Sequence, residues 1–295
     1  MSFFEMLNNT PQIITPEIIT VEAEEVNIYN SLGWEILERP IFNLRGEEIE
    51  GYKEIVRNDN YDSLNICKST YTPVSNYFFC HSVEVLQNIS GLVLEGFHEY
   101  KNGAIVTAHL WNEEPVKILG HDYNTYLIIG NSHNYQTPFF IGEKNVMLRC
   151  KNQFNRFKGS LRAYHTSLNV SNVNRIIQMY SFYKDLQTNT IELFERLERK
   201  GITADVKYKM IRHLLEISPS VPFVELSARK KRQVELFTSS INRECMELGE
   251  NAFGLFNGVT HFTTHIRNAR EKEYSLLFGN DNSINTKALN YLVNI

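Results

Sequence analysis

The hydrophobic positions of this chain repeat with two different periods, and the change falls near residue 170. Before it, short runs alternate apolar and polar residues, as in residues 93–111, which indicates β-strands. After it, apolar residues recur at steps of three and four, which indicates helices. The pattern predicts an α+β fold: a mostly antiparallel β-sheet half with one helix, then a long helix and a helical C-terminal half.

Two local patterns organise the β-rich half. The sequence Lys-Asn-Gly at 101–103 separates two β-rich arms, and Asn-Gly is the strongest short hairpin signal, so we expect a hairpin there. A helix interrupts the strands at residues 76–90, because Phe79, Val83 and Leu86 share one helical face.

The same patterns predict three parts of the chain. Residues 1–30 contain β-branched residues and prolines, which favour an extended, acidic N-terminal arm. Residues 31–170 form the β-rich domain. Residues 171–295 form the helical region, packed on the β-rich domain, and its first helix runs over about 171–200.

Composition places the chain among globular proteins. Of its 295 residues, 42% are hydrophobic and 22% charged, which is enough to build a core. No apolar run approaches the length of about 18 residues that a membrane span needs, and the N-terminus lacks the cationic start of a signal peptide. We therefore expect a cytoplasmic protein with no membrane partner. The four cysteines form no CxxC pair and predict buried thiols.

Charge is unevenly distributed along the chain. Residues 1–60 hold 12 acidic and 4 basic residues, whereas the remainder holds 26 basic and 22 acidic residues. Such asymmetry is typical of an acidic segment that covers a basic surface, and equally of a solvated acidic lead-in.

The positive charge concentrates in one segment, because residues 144–175 contain no Asp or Glu and interleave cations with aromatic residues. Single-stranded nucleic acid needs both kinds of side chain, since cations follow the phosphates and aromatic faces stack on the bases. The alternative is a core of aromatic residues with a solvated basic rim. The hypothesis assigns nucleic-acid contacts to Arg149, Lys151, Asn152, Phe154, Arg156, Phe157, Lys158, Arg162 and His165.

Histidines raise the question of a metal. His261 and His265 are four residues apart, but Phe262 stands where a zinc protease of the H-E-x-x-H type has its glutamate. The polar islands that contain His121, Asp122 and His133 are typical of turns. We therefore expect no metal at these positions.

Nucleotide and hydrolase motifs are missing from the sequence. It contains no Walker loop, no G-x-G-x-x-G and no G-x-S-x-G. We expect no cofactor, and the absence of these motifs favours a binding protein over an enzyme.

Several short motifs occur in a fixed order over residues 31–290. They are Arg57; Tyr71, Pro73 and Val74; Arg149, Cys150 and Asn152; His165 and Thr166; Asn257, Thr260 and His265; and Phe278, Gly279 and Lys287. In this order the chain resembles the phage- and plasmid-like family catalogued as domain of unknown function 932. It departs from the family pattern at Gln153, where threonine is usual, and at Gly258, where alanine is usual. It also lacks the Asp-Gly that commonly follows the histidine at 133.

The resemblance implies a context of bacteriophages and mobile elements in a bacterial host cell, where DNA replication and recombination proteins are common. The leading hypothesis is a single-stranded DNA-binding protein, acting as a homo-oligomer and annealing strands without a chemical step. One alternative is an inhibitor or adaptor of host proteins in anti-defence. A third is a metal-dependent enzyme on nucleic acid that uses His121, Asp122, His133, His165 and His265.

Overall fold

The computed structural model describes residues 32–134, 137, 139–156, 162–163 and 173–295. Over these ranges the chain is mixed, with antiparallel sheets in its N-terminal part and helices in its C-terminal part, so the α+β prediction is confirmed at this level. The arm predicted for residues 1–30 lies outside the described residues, and the division into domains stays a prediction.

The described strands form two antiparallel sheets. The first consists of Ile36–Phe42 (β1), Glu48–Arg57 (β2) and Ser63–Lys68 (β3), in that order. The second sheet runs in the order β10-β8-β7-β5-β4, with β6 paired to β7 and β9 paired to β8. Its strands are Val93–Tyr100 (β4), Ile105–Trp111 (β5), Val116–Ile118 (β6), His121–Ser132 (β7), Phe139–Met147 (β8), Gln153–Arg156 (β9) and Arg162–Ala163 (β10).

Of the helices named next, all within the described ranges, the first lies in the β-rich part and the others follow it. The described α-helices are Asn76–Ser90 (α1), Val173–Glu198 (α2), Ala204–Leu214 (α3), Ala228–Leu248 (α4), Ala252–His261 (α5), Lys272–Leu277 (α6) and Asn280–Asn294 (α7). A 3-10 turn covers Phe223–Glu225, and a π-helical turn covers Phe262–Ile266. The long helix expected over about 171–200 is α2, which has 26 residues.

The apolar face of the second sheet packs against α1. Ser75 caps this helix by accepting a hydrogen bond from the backbone N–H of Phe78. Phe79, Val83 and Leu86, the face predicted from sequence, are each 0% exposed and belong to one cluster with side chains of the sheet. This packing fixes which side of the sheet is apolar.

Aromatic packing joins the sheet to the helical part. Phe154 of β9 lies 5.0 Å, between ring centroids, from Phe256 of α5 and 5.7 Å from Phe194 of α2. Because rings at these separations are in contact, the two halves share one hydrophobic cluster.

A buried carboxyl group lies between β8 and α2. Glu143 is 1% exposed and accepts hydrogen bonds from Thr190 Oγ1 (3.1 Å) and from the side-chain amide of Asn145. Burial raises the pKa of Glu143 to about 7, while those two hydrogen bonds and the charge of Arg156 act in the opposite direction.

A close helix crossing involves Gly258. A Cβ at this position would lie 2.4 Å from the Cα of Ile241, so α5 approaches α4 more closely than any larger residue allows. The departure from the usual alanine therefore has a packing reason.

The first prediction concerns pH. Because the folded pKa of Glu143 lies above its ordinary value of 4.5, the unfolded chain releases this proton first, and the free energy of unfolding falls as pH rises from about 4.5 to 7. The full shift corresponds to about 3 kcal/mol. We expect Glu143→Gln to flatten this part of the pH profile of thermal unfolding. Glu192→Gln, at an exposed position on α2, is the control. A glutamine variant that keeps the wild-type slope would refute the assignment.

The second prediction concerns the helix crossing. Alanine favours helices by about 1 kcal/mol over glycine, but overpacking costs about 1–3 kcal/mol. We expect the clash to dominate, so that Gly258→Ala lowers the midpoint of urea unfolding. The control is Gly201→Ala, where no atom lies within 4 Å of an added Cβ. Equal or greater stability of Gly258→Ala would contradict the close crossing.

Candidate metal centre

The two faces of the second sheet differ near β5, because successive residues of this strand point to opposite faces. Val106, Ala108 and Leu110 are 0% exposed and pack on the side of α1. Thr107 and His109 lie between them in sequence and therefore point to the opposite face. Polar side chains of the sheet collect on this second face.

The β4–β5 hairpin brings two histidines together there. The turn at 101–104 sets the register, in which His98 pairs with Thr107. His109 lies two residues beyond Thr107 on the same face, a diagonal neighbour of His98. The centroids of the two imidazole rings are 4.1 Å apart.

A β-bulge adds a carboxylate to the pair. Leu94 pairs with Leu110 and Gly96 pairs with His109, so Glu95 is an extra residue on β4. A bulge of this kind redirects a side chain that regular alternation would place on the other face. Here it brings Glu95 Oε2 to 3.6 Å from His109 Nδ1.

Glu95, His98 and His109, hereafter the triad, have the geometry of a metal site. Their ligand atoms all lie within 4.8 Å of one another. Two imidazoles and one carboxylate form a donor set that suits zinc and related transition ions.

Two ring nitrogens of the triad lack a protein hydrogen-bond partner. His98 Nε2 and His109 Nδ1 are buried with no such bond, and 3.6 Å is too long for one between His109 and Glu95. The other nitrogen of His109, Nε2, lies 3.3 Å from Thr107 Oγ1. If Nε2 donates its proton to this hydroxyl, Nδ1 presents a lone pair towards Glu95, which is the arrangement that a bound cation would satisfy.

Burial favours the neutral form of both imidazoles. Burial, helped by the nearby Lys144 cation and the neighbouring His98, lowers the pKa of His109 to about 2. Burial and Lys144 also lower the pKa of His98, against the opposite effect of Glu273 and Glu95. Neutral imidazole is the form that binds metals.

A lysine and two aromatic rings border the triad. Lys144 of β8 donates to Glu273 of α6 at 2.9 Å and lies 4.9 Å above the ring of Tyr126. Tyr126 stacks on Trp111 at 5.9 Å and lies 6.4 Å from the ring of His109.

One side of the triad is open to solvent. The side chain of Glu95 is 40% exposed and that of Glu273 is 36% exposed, whereas His109 is 0% exposed. The carboxylate of Glu95 therefore faces solvent, whereas His109 is covered.

A cavity of about 640 Å³ lies elsewhere, between α3 and α7. Two cations in its wall bind acids of the same wall: Lys209 contacts Asp205 at 2.6 Å and Lys287 contacts Glu216 at 2.9 Å. These two lysines therefore have acidic partners within the cavity wall.

Among the described residues that were predicted to bind nucleic acid, two are buried. Phe154 is 4% exposed and packs in the core, so the prediction that its ring stacks on bases is wrong for this structure. Asn152 is also buried and donates to Glu244 Oε2 at 3.0 Å. Both side chains stabilise the contact between β9 and the helices.

The cations of that segment have different surroundings. Arg156 is partly buried and donates to Thr190 Oγ1 at 2.7 Å, whereas Arg149 is exposed and pairs with Glu247 at 3.1 Å. Lys151 is exposed. Arg162 lies in β10, and Phe157, Lys158 and His165 lie outside the described residues.

The histidines selected from sequence do not join the triad. His261 lies 3.2 Å from Ser240 Oγ and 3.1 Å from Arg243 Nη1, and His265 lies 2.9 Å from the carbonyl oxygen of Cys150. These contacts connect helices and loops.

The other residues of the metal-dependent enzyme alternative, where the structure describes them, do not come together in one group. His133 is buried beside Asn76 at 3.0 Å, His121 and Asp122 begin β7, and His165 lies outside the described residues. Within the described part of the chain, the triad is the group of three metal-ligating side chains whose donor atoms converge.

The triad was not predicted from the sequence, although the sequence does indicate that two of its three residues are neighbours. The Asn-Gly turn fixes the register of β4 and β5, and counting outward from it places His98 and His109 on one face. Glu95 carries no such signal, because the bulge is visible only in the structure.

Of three comparisons with known proteins, the one with family models gave a match. A model of the family described as Domain of unknown function (DUF932) matches residues 63–288. No curated protein and no solved structure matches significantly. Among the described helices, none combines the length and apolarity needed to cross a bilayer. Because the family match covers more than half of the chain and includes the whole triad, the protein belongs to the DUF932 family.

Proposed function

We propose that this protein is a metal-dependent enzyme that binds one divalent transition ion at the triad. The observation that carries the proposal is the convergence of donor atoms from His98, His109 and Glu95, together with two buried imidazole nitrogens that have no protein partner. Buried polar groups normally have partners, so such a pair supports a bound water or ion at this place.

The donor set supports zinc over magnesium or calcium. Magnesium and calcium prefer oxygen ligands, whereas two neutral imidazoles suit Zn²⁺ and its neighbours. Thr107 supports the same assignment, because a metal-bound histidine usually donates its other ring N–H to an oxygen.

Three protein ligands support a catalytic role over a structural one. Structural zinc sites are closed by four protein ligands, whereas catalytic sites keep a position for water or substrate. The exposed side of Glu95 leaves room for such a ligand. An ion held there would polarise a bound oxygen or lower the pKa of a bound water to about 7.

Binding of single-stranded DNA stays a separate prediction. Without Phe154 it depends on Lys151, Arg149 and the residues of the segment outside the described ranges. The homo-oligomer, the bacteriophage context and the inhibitor alternative also stay predictions.

The third prediction tests the ion. We expect chelator-treated protein to bind one equivalent of Zn²⁺ in isothermal titration calorimetry. Loss of a direct ligand in His98→Ala or His109→Ala should weaken the affinity by at least about 100-fold, and loss of the orienting hydroxyl in Thr107→Val by about 10-fold. His81→Ala is the control, because His81 is an exposed histidine of α1.

The result is decisive in either direction. Equal Zn²⁺ affinity of the wild type and His109→Ala would place the ion elsewhere and refute the proposal. Absence of Zn²⁺ binding by a folded wild type, checked by circular dichroism and repeated with Co²⁺ and Ni²⁺, would refute it as well.

A further inference from the structure

Lys144 is placed so that it can act on a ligand of the triad. It lies on β8, two strands away from His109, which corresponds to about 10 Å between backbones. Its side chain crosses part of this gap, because the ammonium lies 4.9 Å above the ring of Tyr126 on the intervening strand. The side chain is only 12% exposed, and its ammonium contacts Glu273 at 2.9 Å.

The positively charged Lys144 ammonium lies on the same face of the sheet as the proposed metal site, which would also hold a positive charge. Tyr126 lies between the two groups, because its ring is 4.9 Å from the Lys144 ammonium and 6.4 Å from the ring of His109. An ion bound at the triad would repel the ammonium, since both are positive and the site is partly shielded from water. An anion between them removes this conflict.

The sum of the formal charges also favours an anionic ligand. A divalent ion and Lys144 contribute three positive charges, and Glu95 and Glu273 contribute two negative ones. The loaded site therefore carries an excess positive charge, and its open side favours an anionic ligand.

We propose, on the basis of the metal site proposed above, that the open position takes the phosphate group of a substrate, with one oxygen on the ion and another on Lys144. Phosphate fits better than carboxylate, because its oxygens are arranged tetrahedrally and reach two cations on different sides. Lysine is a common phosphate ligand, and metal ions polarise phosphoryl oxygens.

Glu273 acts as the competing anion in this arrangement. It occupies Lys144 in the absence of substrate and is 36% exposed, so its side chain can move into solvent. Phosphate must displace it, which means that Glu273 opposes phosphate binding while Lys144 favours it. The two residues therefore have opposite effects on one measured affinity.

The fourth prediction uses inorganic phosphate as the probe and Zn²⁺-loaded full-length protein. Loading should tighten phosphate binding at least about tenfold over metal-free protein. Loss of the charge-assisted hydrogen bond in Lys144→Met should weaken phosphate binding by about tenfold. Glu273→Gln should tighten it several-fold, because a neutral side chain competes less with the anion.

Lys184→Met is the matched control, because Lys184 lies over Tyr180 at the same 4.9 Å but belongs to α2, outside the triad. Zn²⁺ affinity is measured for every variant, so that a lost ion is not mistaken for a lost phosphate contact. We expect Lys144→Met to keep its Zn²⁺.

The outcomes separate the two proposals. Normal Zn²⁺ binding with equal phosphate affinity in loaded and metal-free protein would overturn the phosphate inference and leave the metal site intact. Wild-type phosphate affinity in Lys144→Met would overturn it as well. If Zn²⁺ itself does not bind, both proposals fail.

Two further probes identify the source of the phosphate. Phenyl phosphate carries a monoester, and a short thymidine oligonucleotide without terminal phosphates carries only diesters. Tighter binding of phenyl phosphate assigns small phosphomonoesters. Tighter binding of the oligonucleotide, with the same dependence on Lys144, assigns a nucleic-acid backbone. If neither ester binds the loaded protein, the inference that the substrate carries a phosphate group is wrong.

Discussion

The strict alternation of β5 is the constraint on which the candidate site depends. Its even-numbered residues from Val106 to Leu110 are buried in the core against α1. Because side chains alternate along a strand, Thr107 and His109 must point to the opposite face. A slip of one residue would bury the wrong set, at a cost of about 1.5–3 kcal/mol for each large side chain exposed. The hydrophobic core therefore positions the imidazole.

The sequence predicts the fold well where local patterns decide it. The hairpin at 101–103, the face of α1 and the long helix all follow from turn chemistry and periodicity within about 30 residues. The same local information predicts that His98 and His109 are neighbours. What it cannot predict is the bulge at Glu95, because alternation gives no indication that one residue breaks it.

The basic-aromatic segment illustrates the other limit. Its alternation of cations and aromatic rings suits an open groove and a buried strand equally well. The outcome for Phe154 depends on Phe256, about a hundred residues later in the chain, which closes over the ring at 5.0 Å. Contacts of this sequence separation come from the packing of helices on the sheet, and no local pattern contains them. Gly258 is a parallel case, since only the approach of Ile241 explains why a side chain is absent there.

The two imidazoles of the triad add little to stability, which supports the proposed metal site. A buried donor or acceptor without a partner costs about 1–3 kcal/mol, and the triad contains two such nitrogens beside a carboxylate. Apolar residues at His98 and His109 would extend the neighbouring cluster of Tyr126 and Ile128 and avoid this cost. An apolar cover on this face is compatible with the fold, because α6 already packs on part of it near Tyr100. A site that remains polar and open beside such a cover is better suited to holding a ligand than to supporting the fold.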